Sequence, residues 1–143
     1  MSKIIVAYWS QTGNTQEMAN AIGSGIEEAG KAAEIVEISK VSLEAIQAAD
    51  AFALGCPAMG DENLEESEME PFVKSIEGLV QGKKIVLFGS YGWGDGQWMR
   101  DWEERMISAG ATIIGDKGLI SQDAPDQNIL EECKNLGKLL AAN

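Results

Sequence analysis

Apolar positions along the chain switch repeatedly between two periods. Ile4 to Tyr8 is a nearly unbroken apolar run, which predicts a strand over 3–9 covered on both faces. Met18, Ile22, Ile26 and Ala29 then fall at helical spacing, predicting a helix from Asn14 or Thr15 to a stop at Gly30. Gly23 and Gly25 lie inside that helix, where each costs up to about 1 kcal/mol relative to Ala; close packing on the sheet is one reason to keep them. Residues 33–38 alternate, as suits a strand near a sheet edge, and Ser42 is placed to cap a short helix over 43–49. A third strand over 51–55 ends at Cys56-Pro57, and a loop over 56–63 follows. A helix over 65–80 presents Met69, Phe72, Val73 and Ile76, and a fourth strand covers 84–89. After a glycine-rich loop over 90–96, a helix over 97–109 turns Trp98, Met99, Trp102 and Met106 inward. Its outward residues are Arg100, Asp101, Glu103, Glu104 and Arg105. A fifth strand over 112–114, either ending there or continuing past Gly115 to Leu119-Ile120, precedes a last helix over 126–142, with Ile129, Cys133, Leu136 and Leu140 inward.

This β-α alternation, without a linker, repeat or change of composition, predicts one domain over 1–143: an α/β doubly wound five-stranded parallel sheet with right-handed crossovers. In such a sheet a ligand sits beyond the carboxyl ends of the strands. The loops 10–15, 56–63 and 90–96 all fall at that edge. In the first, Ser10-Gln11-Thr12-Gly13-Asn14-Thr15 combines hydroxyls with the unpaired N–H groups of a helix start. Taken alone it suits a phosphate held by neutral donors or an ordinary capped helix; the convergence of three loops favours the phosphate.

Composition narrows the function classes. The chain has 143 residues and a net charge of −12, with no histidine. Such a charge repels nucleic acid and anionic lipid and attracts basic surfaces. Without histidine the commonest general base and metal ligand is missing. Cys56 and Cys133 stand in no metal-ligand or redox-pair spacing and read as buried free thiols. The Met-Ser-Lys opening lacks the apolar segment of a signal peptide, and no run reaches membrane-spanning length, so the cytoplasm is the expected compartment.

Three local motifs coincide in order: Tyr8-Trp9-Ser10-Gln11-Thr12-Gly13-Asn14-Thr15, Ala58-Met59-Gly60-Asp61-Glu62, and Gly89-Ser90-Tyr91-Gly92-Trp93-Gly94-Asp95-Gly96. Together they resemble the flavodoxins, most closely the short-chain clostridial type, over essentially the whole chain. Gln11 departs from that pattern, which more often has Gly there; a loop built from backbone donors tolerates the change. The resemblance implies the strand order 2-1-3-4-5 known for that family, with FMN at the switch point. It also implies a low-potential one-electron carrier, not an enzyme. Such a carrier cycles non-covalently bound FMN between semiquinone and anionic hydroquinone.

The same resemblance distributes roles. Ser10, Thr12, Gly13, Asn14 and Thr15 would hold the phosphate, with Gln11 a further cofactor-binding residue of the same loop. Ala58, Met59, Gly60, Asp61 and Glu62 would meet the ring, and the Gly60-Asp61 peptide would turn over on reduction. Met59 would pack on the inner face of the ring, or else fill a core gap. Glu62 would meet the N3 edge, or else be a solvated carboxylate. Ser90, Tyr91, Gly92, Trp93, Gly94 and Asp95 would form the third loop, with Trp93 on the outer face. Asp95 is open between a turn and a sugar contact, Trp9 between core and a wall beside the ribityl chain. Gln122 and Asp123 are candidates near the ring's edge. Trp98 and Trp102, four apart on a helix, read as core. The acidic run Asp61, Glu62, Glu65, Glu66, Glu68 and Glu70 reads as a solvated face that lowers the potential, each charge leaving about a few tens of mV after screening. Partners would be redox enzymes with basic docking surfaces (ferredoxin-type donors and acceptors), and nothing argues for an oligomer. The alternative is an FMN-dependent quinone or nitro reductase, disfavoured because no basic cluster awaits a dinucleotide phosphate. A flavin-free receiver-like domain would require a phosphoacceptor Asp where the sequence reads Gly55-Cys56-Pro57.

Overall fold

The fold is given by a computed structural model that describes residues 3–142; the expectation drawn from the Met1-Ser2 start lies outside them. The elements are β1 (Ile4–Tyr8), α1 (Asn14–Glu28), β2 (Ala33–Glu37), a 3-10 turn (Ile38–Lys40), α2 (Leu43–Ala48), β3 (Ala51–Gly55), α3 (Met69–Ile76), β4 (Lys84–Tyr91), α4 (Gln97–Ser108), β5 (Thr112–Ile113), β6 (Leu119–Gln122) and α5 (Gln127–Ala141). The sheet is parallel throughout and runs β2-β1-β3-β4-β5, with β6 also paired to β4.

Alternation along the strands divides the core into two layers. Ile5, Ala7, Phe52, Leu54, Ile85 and Leu87 point to one face, where α2, α3 and α4 bring Ile46, Met69, Val73, Ile76, Trp98, Trp102 and Met106. Val6, Tyr8, Ala53, Val86 and Phe88 point to the other, against Met18, Ile22 and Ile26 of α1 and Cys133 and Leu140 of α5. Trp98 and Trp102 are core residues, as expected, and both cysteines are buried free thiols. The glycines of α1 now have a reason. A side chain at Gly23 would collide with Ile35 of β2, and one at Gly25 with the backbone of Lys134 in α5. Reciprocally, Gly137 of α5 lies against the backbone of Ile22. The two long helices therefore meet backbone to backbone, and the propensity lost at each glycine is offset by contact that Ala would prevent.

Several boundaries differ from the sequence reading. Ala29 is exposed beyond the end of α1. The helix expected over 65–80 is reduced to Met69–Ile76, because residues 65–68 fold into a turn around the Glu65 carboxylate. β4 continues to Tyr91 because β6 pairs with it that far, so Ser90 and Tyr91 belong to a strand rather than to the loop. The fifth strand is interrupted: residues 114–118 turn out of the sheet between β5 and β6, with Gly115 and Asp116 in the left-handed region. Ser42 caps α2 as expected, its Oγ accepting the Ala45 N–H at 3.1 Å.

Candidate functional site

At the carboxyl edge of the sheet, residues 9–13 connect β1 to α1. Ser10 Oγ accepts the N–H groups of Gly13 at 3.1 Å and Gln16 at 3.4 Å, which folds the loop back on the helix start. Gly13 holds φ 96 at the cap position. Among the described residues no group accepts the N–H of Gln11, Thr12, Asn14 or Thr15. These free donors and the dipole of α1 face one region of space, and the loop itself carries no charge. That donor set fits a phosphate. Thr15 is buried, and its Oγ1 lies 3.0 Å from Ser90 Oγ and accepts the Ser90 N–H at 3.4 Å. The first loop is thereby tied to the end of β4.

The second loop is rooted in the core and free at its tip. At its root Cys56 donates its N–H to Phe88 and accepts the indole N–H of Trp98, each at 3.1 Å. Burial pushes the Cys56 thiol up to about 12, against a lowering by the Glu65 N–H that it accepts. Ala58 N–H donates to the Ser90 carbonyl at 3.0 Å. Met59 and Asn63 exchange N–H···O bonds of 2.9 and 2.8 Å, closing a tight turn with Gly60, Asp61 and Glu62 at the tip. Gly60 (φ 53) and Glu62 (φ 58) are both left-handed, and a Cβ at Gly60 would meet nothing within 4 Å. The Gly60-Asp61 peptide therefore has room to turn.

Glu62 is half-buried, and its Oε1 accepts the N–H groups of Gly96 at 3.1 Å and Gln97 at 3.0 Å. It caps α4 and joins the second loop to the third. Gly94 (φ +90) makes room for it, since a Cβ there would come within 2.6 Å of the Glu62 carboxylate. The acidic run is therefore not one solvated face. Glu65 is buried, and its carboxylate accepts from Ser67 N–H (2.7 Å), Ser67 Oγ, Glu68 N–H (2.7 Å) and Met69 N–H (3.0 Å), capping α3. Burial pushes Glu65 up, but the Ser67 hydroxyl and the three amides outweigh it and hold the carboxyl below its ordinary value. Glu70 is bonded at both oxygens by Arg105, at 2.8 Å each, which holds its carboxyl below the ordinary value against burial. Only Asp61, Glu66 and Glu68 of the run stand exposed without such partners. In a letter sequence these carboxylates look alike; only the turn at 65–68 distinguishes them.

In the third loop Trp93 is 63% exposed between Gly92 and Gly94, an unusual place for an indole. Tyr91 is half-buried against Trp98, ring centroids 5.5 Å apart. The Asp95 carboxylate is paired with Arg100 at 3.1 Å. Gln122 ends β6 opposite Tyr91, and the next residue, Asp123, donates its N–H to the Tyr91 carbonyl at 2.7 Å. The three loops enclose a cleft of about 180 Å³ between residues 11–14, 57–59 and 90–92, lined also by Asp123. Met59 and Ser90 line it; Gly60, Asp61, Glu62, Trp93, Gly94, Asp95 and Gln122 flank it without lining it. Pro57 is a lining residue that the sequence reading passed over, although its place directly after β3 pointed to it. Trp9 and Ser10 line a second cavity of about 180 Å³ with Ile38, Ser39 and Glu68. Among the described residues no group of His, Cys, Asp or Glu is placed to hold a metal ion.

A doubly wound parallel sheet with an uncharged loop of free amide donors and two glycine-bearing loops at its switch point defines the flavodoxin-like class of α/β protein. The family model described as Flavodoxin matches residues 6–136. Flavodoxin from Clostridium beijerinckii is 48% identical over 95% of this chain and 97% of its own length. Flavodoxin from Megasphaera elsdenii is 44% identical over 95% and 96%. The solution structure of the two-electron reduced Megasphaera elsdenii flavodoxin superposes with a TM-score of 0.87, at 42% identity, over 98% of this chain and 99% of that one. The chain belongs to the flavodoxin family. Flavodoxins are FMN-binding electron-transfer proteins rather than enzymes, and the strand order observed here is theirs.

Proposed function

We propose that this protein is a low-potential carrier of one electron at a time, with FMN bound non-covalently in the cleft between the three loops. The bound flavin supplies the redox chemistry; the chain binds it, excludes water and sets its electrostatics. Residues 10–15 hold the phosphate through free N–H groups and hydroxyls. Ala58, Met59, Gly60, Asp61 and Glu62, with Ser90, Tyr91, Gly92, Trp93, Gly94, Asp95 and Gln122, surround the rest of the cofactor. The exposed indole of Trp93 gains a partner when the cofactor binds. The observation that carries this reading is the Thr15–Ser90 contact, which fixes the phosphate cradle against the strand from which the aromatic loop departs.

Partners are redox enzymes with basic docking surfaces, met by a chain of net charge −12. The association rate falls steeply with salt, and a flat dependence counts against it. Among the described residues no helix is long and apolar enough to cross a membrane, and we place the protein in the cytoplasm as a monomer. The decisive experiment is the visible spectrum of the purified protein during stepwise reduction. A yellow protein with one FMN per chain that turns blue at half reduction supports the carrier; a colourless protein that takes up no FMN overturns it.

A further inference from the structure

The cleft is lined by amide, hydroxyl, apolar and glycine groups, with one exception. Asp123 is the single charged residue among those that line it. Its backbone is held in the left-handed region, φ 58, where Asp is tolerated but strained. Two bonds fix it there: its N–H donates to Tyr91 at 2.7 Å, and its carbonyl accepts the Ser121 hydroxyl at 3.4 Å. Its Oδ1 lies 3.9 Å from where a Cβ on Gly92 would stand, on the cleft side of the third loop. Among the described residues no Lys or Arg pairs with it. An exposed, unpaired carboxylate on a fixed backbone thus lines the same small cleft as Thr12 and Asn14.

We infer that Asp123 is a specificity-determining residue that sets flavin selectivity by charge, weakening the hold on a phosphorylated flavin relative to its phosphate-free form. The inference rests on the FMN reading above. The cradle is selective for phosphate through dipoles alone, so nothing in the cleft neutralises the opposing charge of Asp123. At about 10 Å and an effective ε of about 20, after salt screening, one carboxylate facing a phosphate dianion changes affinity by about three- to tenfold. Asn is the informative replacement. It keeps the shape, suits a left-handed backbone better than Asp, and removes only the charge.

The test measures the affinity of the apoprotein for FMN and for riboflavin by flavin fluorescence quenching, at low and high salt. Asp123→Asn is expected to bind FMN about three- to tenfold tighter than wild type at physiological salt and by more at low salt, with riboflavin changed less than twofold. The difference should shrink as salt rises. Asp123→Gly, which removes the charge without adding an amide, should tighten FMN binding in the same direction. The inference is overturned if FMN and riboflavin affinities move together, if neither moves, or if only the Asn variant gains. The FMN reading itself fails in a different way, with wild-type protein that quenches neither flavin.

Discussion

The two ends of the cleft are held in opposite ways. At the end proposed for the phosphate the fixed parts face the cleft: Thr15 is buried, its hydroxyl is bonded to Ser90, and the amides of residues 11–15 sit on the start of a long helix. At the other end the fixed parts stand behind the ligand. Cys56, Glu65 and Glu62 tie the second loop to β4, α3 and α4, while its tip, Gly60-Asp61, is exposed and touches little. A dianion needs donors that do not move, because reorganising them costs binding energy. The proposed turnover of the Gly60-Asp61 peptide needs a rigid root and a free tip. One sheet edge supplies both, because the loop after β1 runs straight into a helix and the loop after β3 does not.

Among the polar contacts, the largest effect should come from the root. Replacing Glu65 by Ala removes the acceptor of three amides and a hydroxyl and leaves the start of α3 uncapped. The expected loss is about 3 kcal/mol in urea denaturation, with Gln recovering about half. The carboxyl of Glu65 is lower in the folded chain than its ordinary value near 4.5. Its contribution is therefore complete above about pH 4.5 and disappears as pH falls through the folded value, a loss that Glu65→Gln should not show. If Glu65→Ala were no more harmful than truncating an exposed neighbour such as Glu66, the contrast between fixed root and free tip would collapse.

The phosphate end sharpens the contrast at intermediate size. Thr15→Val keeps the shape of a buried side chain but deprives Ser90 Oγ of its partner. It should cost about 1–2 kcal/mol of stability and weaken FMN binding about tenfold, with riboflavin affected less. Equal losses for the two flavins would show that Thr15 organises the cleft as a whole rather than its phosphate end.

What was legible in the sequence follows the same division. The apolar runs and helical stripes set out the sheet and its helices, and the order of the three motifs placed the loops at one edge. The Ser10–Thr15 loop could be understood from local chemistry, because its donors are its own backbone. The partners of Gly25 and Glu65 could not. Gly25 answers to Lys134 on another helix, and the Glu65 carboxylate folds back on amides that any acidic helix face would also have offered to solvent. A run of Glu and Ser at 65–68 reads equally as a helical turn or as a cap, and only the burial of Glu65 separates them. The break after β5 stays open in the sequence because Gly115-Asp116-Lys117-Gly118 separates two short apolar pairs, Ile113-Ile114 and Leu119-Ile120, that suit one strand as well as two.

The smallest effect on stability belongs to the residue expected to matter strongly for the ligand. Trp93 is 63% exposed, so little burial is lost when it is truncated. Trp93→Ala should lower the unfolding free energy measured in urea by less than about 0.5 kcal/mol, within the range for surface substitutions. Its effect on FMN should be several times larger, about 1–2 kcal/mol of affinity, since a ring that stacks on the cofactor contributes only in the complex. Trp98→Ala gives the opposite pattern, because its indole is buried and its N–H bonds to Cys56 at the root. That change should cost about 3–5 kcal/mol of stability before any flavin is added. Measuring both variants with and without FMN separates the two kinds of tryptophan. A Trp93 variant that loses stability in the apoprotein would mean that the third loop packs on its own, and that the exposed end of the cleft is built in advance like the phosphate end.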